Sequence, residues 1–281
     1  MQFPYFPRRT LLLTALALAT LAGGSAQAAL LASDDFSYPD GSHLTSQNGG
    51  TGFPGPWVSP AFNFPYSYNA PLLTRNGQVS FNPAGPNGQG DSYRQNSFRL
   101  LPFSFQPGQQ YWVSFDLQSL TAGLAHANFQ GISFYESGGA ERLFVGHSTY
   151  LGHDTSWRMV QQPGNIYQST ASTTVSSVDS MKLGVLELVV GSSSSTANLW
   201  VGPDTVTPVD VSRAPDGTAV NLSLLNVDYL AVAGDATFAL DNLKLGTTPA
   251  DVGAVPEPAA LSVFAGGLLL LVLRRGTRRN A

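Results

Sequence analysis

Apolar residues along the middle of this chain recur at every second position rather than at every third or fourth. In Tyr111–Leu117, Tyr111, Val113, Phe115 and Leu117 point one way while Ser114 and Asp116 point the other. That alternation is the mark of a half-buried strand. The same period predicts strands over Phe129–Tyr135, Arg142–His147, Met181–Val190, Ala197–Val201, Val220–Leu224, Tyr229–Val232 and Thr237–Leu245. Turn-forming clusters separate them, among them Ser137-Gly138-Gly139, Gly202-Pro203-Asp204 and Asp216-Gly217. No window between residues 29 and 255 sustains helical periodicity. Many strands without helical crossovers predict an all-β body, a single antiparallel β-sandwich, because parallel neighbours need connecting helices.

The last predicted strand changes phase. Phe238 and Leu240 share one face, whereas Leu243 and Leu245 fall on the other. One extra residue near Asp241-Asn242 restores the register, as a β-bulge does; the alternative is a strand buried on both faces. The polar, uncharged stretches 168–177 and Ser192–Thr196 read as loops or exposed edge segments.

The two ends obey a different pattern. Residues 1–28 carry Arg8 and Arg9, an apolar run from Leu11 to Leu21, and Ala26-Gln27-Ala28. These are the cationic start, apolar core and small-residue cleavage site of a secretory signal peptide, with Ala26 and Ala28 at the cleavage positions. The paired arginines leave general and twin-arginine export both open. At the other end, Val255, Pro256, Glu257 and Pro258 precede fifteen apolar or small residues, Ala259 to Leu273. Arg274, Arg275, Arg278 and Arg279 follow. As a helix the apolar run reaches about 22 Å, short for a hydrocarbon core of about 30 Å. It suits transient rather than permanent anchoring. The arginines mark the cytoplasmic side. This order of parts resembles the PEP-CTERM sorting domain of Gram-negative bacteria. The resemblance implies processing by an exosortase near Pro256-Glu257-Pro258, transient residence in the inner membrane, and delivery to the cell surface or an extracellular matrix. The expected organisation is therefore a signal peptide over 1–28, a sandwich over 29–247, a linker over 248–255 and a sorting signal over 256–281.

A second resemblance covers the body. Ala32-Ser33-Asp34-Asp35-Phe36-Ser37-Tyr38-Pro39-Asp40-Gly41, Gln47 to Phe53, Trp57, Gly131 to Tyr135, Glu141 to Gly146 and Phe238 to Gly246 together resemble secreted bacterial proteins with a concanavalin A-like (laminin-G-like) jelly roll. Phe53 stands where Trp is more familiar. The resemblance implies that the first and last strands meet in one sheet. It also implies glycan binding, with hydrolysis in some relatives.

Composition narrows the chemistry. Only 11% of the residues are charged, against roughly 25% in an ordinary domain, and there is no cysteine. Electrostatic nucleic-acid binding, thiol chemistry, iron–sulfur clusters and zinc fingers are thereby excluded. Six of the fourteen basic residues lie in the two end segments, which leaves a body with 8 basic and 17 acidic side chains. The body is mildly acidic, a poor partner for anionic polymers unless a cation bridges them.

Candidate sites are few. No Glu-x-Asp-x-x-Glu strand and no Gly-x-Ser-x-Gly elbow occurs. Glu136 and Glu141 bracket a Gly-Gly turn, where solvated charges are expected. His147 and His153 match no metal spacing and read as loop histidines. Calcium has one opening: Asp34 and Asp35 in the first strand and Asp241 in the last could converge as hard oxygen ligands, although paired aspartates before a strand also make ordinary turns. The Pro-stiffened run Phe53-Pro54-Gly55-Pro56-Trp57, followed by Tyr66 and Tyr68, could offer Trp57, Tyr66 and Tyr68 as a flat ligand surface. The preferred reading is that it caps an open end of the sandwich with its rings turned inward. The resulting expectation is a non-catalytic, exported surface or matrix protein that associates with polysaccharide or serves structurally. It needs no cofactor, with structural Ca²⁺ left open, and its partners are the export machinery and the exosortase. A carbohydrate-active enzyme on the same sandwich and a protein-adhesion module are the alternatives.

Overall fold

A computed structural model describes residues 29–59, 71–80, 93–119, 129–136, 139–148, 156–161, 168–176, 180–192, 195–202, 209–211, 222–231 and 238–254. Both end segments, with Ala26, Ala28, the Val255–Pro258 motif and the four arginines, lie outside them, as do Tyr66, Tyr68 and His153. Among the described residues no helix is long and apolar enough to cross a membrane.

The described chain forms two antiparallel sheets packed face to face as a β-sandwich. The larger runs in the order β12 (Val209–Val211), β11 (Thr196–Val201), β10 (Lys182–Val189), β5 (Gln110–Ser119), β14 (Phe238–Gly246), β3 (Gln78–Ser80), β2 (Leu73–Arg75), with β1 (Leu30–Asp34) also paired to β14. The smaller runs β4 (Tyr93–Leu100), β13 (Leu222–Ala231), β6 (Phe129–Glu136), β7 (Glu141–Ser148), β8 (Ser156–Gln161), β9 (Gln168–Ser176). First and last strands therefore lie side by side, Ser33 opposite Lys244 and Asp34 opposite Leu243. The stretch read as loop or exposed edge is an edge strand, β9.

The core follows the alternation. Val113, Phe115 and Leu117 of β5, Leu186 and Leu188 of β10, and Leu199 and Val201 of β11 meet Ile132, Phe134, Leu143 and Val145 of the facing sheet. Trp157 of β8 reaches across to Phe115, ring centroids 5.5 Å apart. It also lies against Gly184, where an added Cβ would collide with the indole ring. Only glycine admits that ring between the sheets.

The phase change in β14 is a bulge. Pairing with β5 shifts between Asp241 and Lys244, and Asn242 takes a positive φ of 51°, a conformation that asparagine tolerates better than most residues. Phe238, Leu240, Leu243 and Leu245 consequently all enter the same core.

Other expectations are corrected. Of the strands expected over Val220–Leu224 and Tyr229–Val232, the described residues 222–224 and 229–231 belong to one strand, β13, because Asn226 and Asp228 are carried inside a ladder between β4 and β6. β4 gives little apolar signal, yet Gln95, Asn96, Ser97 and Arg99 are all buried. The segment expected to be a linker is hydrogen-bonded: Ala254 donates to the Pro249 carbonyl at 3.0 Å, and the Ser114 hydroxyl donates to that of Val252 at 2.7 Å. Val252 is buried, so the packed body continues to residue 254.

Candidate functional site

Two places gather aromatic and carboxylate side chains. The first lies where the loop after β1 crosses the open edge of the sandwich. Along β1 alternation turns Asp34 inward and Asp35 outward. Asp34 becomes the centre of a knot, its Oδ2 accepting hydrogen bonds from the Tyr38 hydroxyl at 2.7 Å, Trp57 Nε1 at 2.9 Å and Arg99 NH1 at 2.5 Å. The Phe36 amide donates to Oδ1 at 2.9 Å. Arg99 is equally committed: Nε donates to the Gly55 carbonyl and NH2 to that of Gly49, at 2.9 and 2.8 Å. Its guanidinium stacks 4.1 Å from the centre of the Phe53 ring. Burial and the hydrogen bond to Asp34 push the Tyr38 phenol upward, so it stays protonated.

This knot decides two candidate assignments. Trp57 is 0% exposed and packs against Phe36 and Phe53; it is a core residue that caps the sandwich and presents no ring to a ligand. Asp34 is paired with a buried cation, so its carboxylate is not open to Ca²⁺. Asp35 is exposed, and Asp241 stands opposite the outward Asp116. Among the described residues no group of His, Asp and Glu is arranged to hold a metal ion.

The second place is the outer face of the larger sheet. Because Val113, Phe115 and Leu117 face the core, Trp112, Ser114 and Asp116 of the same strand face outward. By the same alternation Val185 and Glu187 of β10, and Asn198 and Trp200 of β11, share that face. Cross-strand pairing sets Glu187 between Trp112 and Asn198, and Val185 between Ser114 and Trp200. The two indoles lean over β10 and stack, centroids 5.5 Å apart at an angle of 26°. Val185 beneath them is only 6% exposed despite facing outward. The rings themselves are half-buried. Beside them Asn198 Nδ2 donates to Glu187 Oε2 at 2.8 Å. The result is a half-buried stacked indole pair edged by a carboxylate and an amide, whose exposed apolar surface suits a ring carrying hydroxyls at its rim. Sequence reading missed it because Trp112 and Trp200 lie 88 positions apart. The available signal was that each stands at an outward position of its strand.

Four residues along β5 from Trp112, about 13 Å at strand rise, Asp116 lies opposite Asp241 in register. Asn242 Nδ2 donates to Asp116 Oδ2 at 2.8 Å. Partial desolvation and the charges of Asp116 and Asp35 raise the Asp241 carboxyl above its ordinary value, outweighing the Asn242 amide and the Gln78 side chain. An adjoining cleft of 320 Å³ is lined by Ser33, Asp35, Thr51, Asn242 and Lys244 among others.

The remaining candidates resolve differently. Glu136 pairs with Arg142 at 2.9 Å. Glu141, expected to be a solvated turn charge, is buried, and His147, expected in a loop, is buried within β7.

No family model and no curated protein matches this chain. Solved structures similar in fold include the alginate lyase Aly36B, at 12% identity and a TM-score of 0.47, covering 76% of this chain and 95% of that one. Another is SCLam, a non-specific endo-β-1,3(4)-glucanase from family GH16, at 11% identity, a TM-score of 0.49 and coverages of 79% and 91%. A third is the CBM2 module of the evolved Dit of Lactobacillus casei BL23 phage J-1, at 10%, 0.48, 78% and 96%. Such similarity describes the sandwich and transfers no residue or reaction. The expectation of a body without enzymatic activity is corrected: lyases and glucanases are among the solved structures matched over most of this chain.

Proposed function

We propose that this chain is an exported, carbohydrate-associating protein with a concanavalin A-like jelly roll, which holds a neutral polysaccharide on the outer face of its larger sheet. The observation that carries the reading is the stacked Trp112–Trp200 pair with the Glu187–Asn198 hydrogen bond at its edge. Stacking on indole supplies affinity, and the polar pair supplies hydroxyl contacts. Glu187, Asp116, Asp241 and Asp35 give this face acidic character, which disfavours uronate or sulfate polymers. Electrophoresis through gels containing laminarin, with an alginate gel for contrast, tests it. The parent chain should be retarded by laminarin only, and Trp200→Ala should migrate freely while keeping its melting temperature. Equal retardation of parent and variant would remove the site.

A second reading is catalytic and rests on the Asp116–Asp241 pair, one carboxyl raised and one hydrogen-bonded by an amide. Two carboxylates held in different environments are the raw material of acid–base chemistry. Release of reducing ends from a glucan, abolished by Asp116→Asn, would favour it. The order of signal peptide, body and PEP-CTERM-like tail supports export and exosortase processing. Deleting Val255–Pro258 should leave the precursor in the inner membrane; unchanged fractionation would end that part of the reading.

A further inference from the structure

The two ends of the packed body meet. Leu30 pairs with Gly246, so Ala29 stands one step beyond, at Thr247, and its backbone N–H reaches the Asp251 carboxylate. Asp251 is held there from several sides. Its Oδ2 accepts from the Thr247 and Thr248 amides at 2.9 and 2.7 Å. The side chain lies against Gly246, where an added Cβ would collide with it. Desolvation opposes ionisation, but the donors from Thr248, Thr247 and Ala29 outweigh it and keep the carboxyl below its ordinary value. At neutral pH, then, a fixed carboxylate sits at the first residue after Ala28, the expected end of the signal peptide.

We propose that Asp251 is the binding site for the α-ammonium of Ala29, created when the signal peptide is removed, so that processing itself fastens the two ends of the sandwich. The inference rests on the signal-peptide reading above. Hydrolysis of the Ala28–Ala29 peptide bond consumes one water, leaving a carboxylate on Ala28 and an amine on Ala29 that takes up a proton at neutral pH. The acceptor is unchanged, but its donor turns from a neutral amide into a cation, and charge-assisted hydrogen bonds are the stronger kind. Lys244 of β14 is a charged neighbour of this turn, its Nζ 3.7 Å from the position of a Cβ on Gly253. From β5, Trp112 stands opposite Gly246 and Ser114 opposite Lys244, and neither titrates there. Val252 is anchored by Ser114, so the turn carrying Asp251 is fixed before the amine arrives.

The test uses the chain from Ala29 to Ala281 in detergent, with a free or an acetylated amine, each in the parent and in Asp251→Asn. At pH 6.5 the free-amine parent should melt about 1–3 °C above its acetylated form. A partner raises the amine pKa above its unfolded value, so this gain is complete below about pH 7.7. It should fade as pH rises past the raised value. In Asp251→Asn the two forms should melt together. A gap that is absent, or that ignores pH, overturns the proposal, and it does so in the parent pair even if Asp251→Asn fails to fold. N-terminal sequencing of the exported protein separates the premises. A terminus other than Ala29 sinks the cleavage reading, whereas an Ala29 terminus without the gap sinks the ammonium site alone.

Discussion

The knot around Asp34 and the outer face around Trp200 use the same materials, aromatic rings beside a carboxylate, and put them to opposite ends. In the knot both carboxylate oxygens of Asp34 are matched and Trp57 is sealed from solvent. On the outer face the rings cover one another and Val185 but keep part of their surface in water. The difference lies in what stands behind each carboxylate. Asp34 has a buried guanidinium, whose removal would strand a charge in low dielectric. Glu187 has an amide and solvent, and loses little by exchanging partners. A Pro-rich aromatic loop therefore need not be a binding surface, and tryptophans far apart in sequence can make one.

The comparison breaks most sharply at Arg99. Arg99→Met should cost about 3–5 kcal/mol in chemical denaturation, because it leaves Asp34 buried without its cation. A cost below about 1 kcal/mol would mean that Asp34 is not sealed in. Next comes a matched pair of tryptophan deletions. Trp57→Ala should cost about 3–5 kcal/mol of stability. Trp200→Ala should change stability by less than about 1 kcal/mol and lower polysaccharide affinity by roughly five- to thirty-fold. If the two variants behave alike, the distinction between the regions is wrong.

The smallest effect belongs to Asp241. Its carboxyl is raised in the fold, so ionisation is disfavoured in the native state relative to the unfolded one. That penalty is absent below the unfolded value of 3.8 and grows as pH rises through the raised native value. Asp241→Asn should therefore raise the melting temperature slightly at pH 7, with the difference closing near pH 3. A variant that is less stable at pH 7 would show that Asp241 is favourably bonded there rather than crowded by Asp116 and Asp35.

Much of the architecture was legible in advance, for a local reason. Alternation in β5, β10, β11 and β14 reports which face is buried, since side chains on a strand alternate strictly, whereas β6 and β7 are buried on both faces. The phase slip at Asp241-Asn242 announced a bulge for the same reason. β4 was invisible because most of its buried residues are polar: Arg99 is satisfied by Asp34, 65 positions away, and no local window contains both. The split of β13 at Asn226 and Asp228 has the same origin, since polar residues read as a turn unless the neighbouring strands are known. Of the site residues, Trp57 takes the inward, capping place preferred for it over a ligand surface, whereas Asp34 bonds Arg99 rather than Ca²⁺. Trp112 and Trp200 were passed over.

Period and punctuation along the chain thus determined that the body is β-structured, where most of its strands lie and where the last one kinks. They also carried the expectation of two terminal addresses. Tertiary structure alone decided which tryptophan is core and which is surface. It decided, too, that Asp34 belongs to Arg99 rather than to a metal, and that the stretch after β14 is packed as far as Ala254. The physical reason is range. Strand periodicity is set between neighbours two residues apart, whereas burial of a ring or pairing of a charge depends on groups brought together from distant parts of the chain.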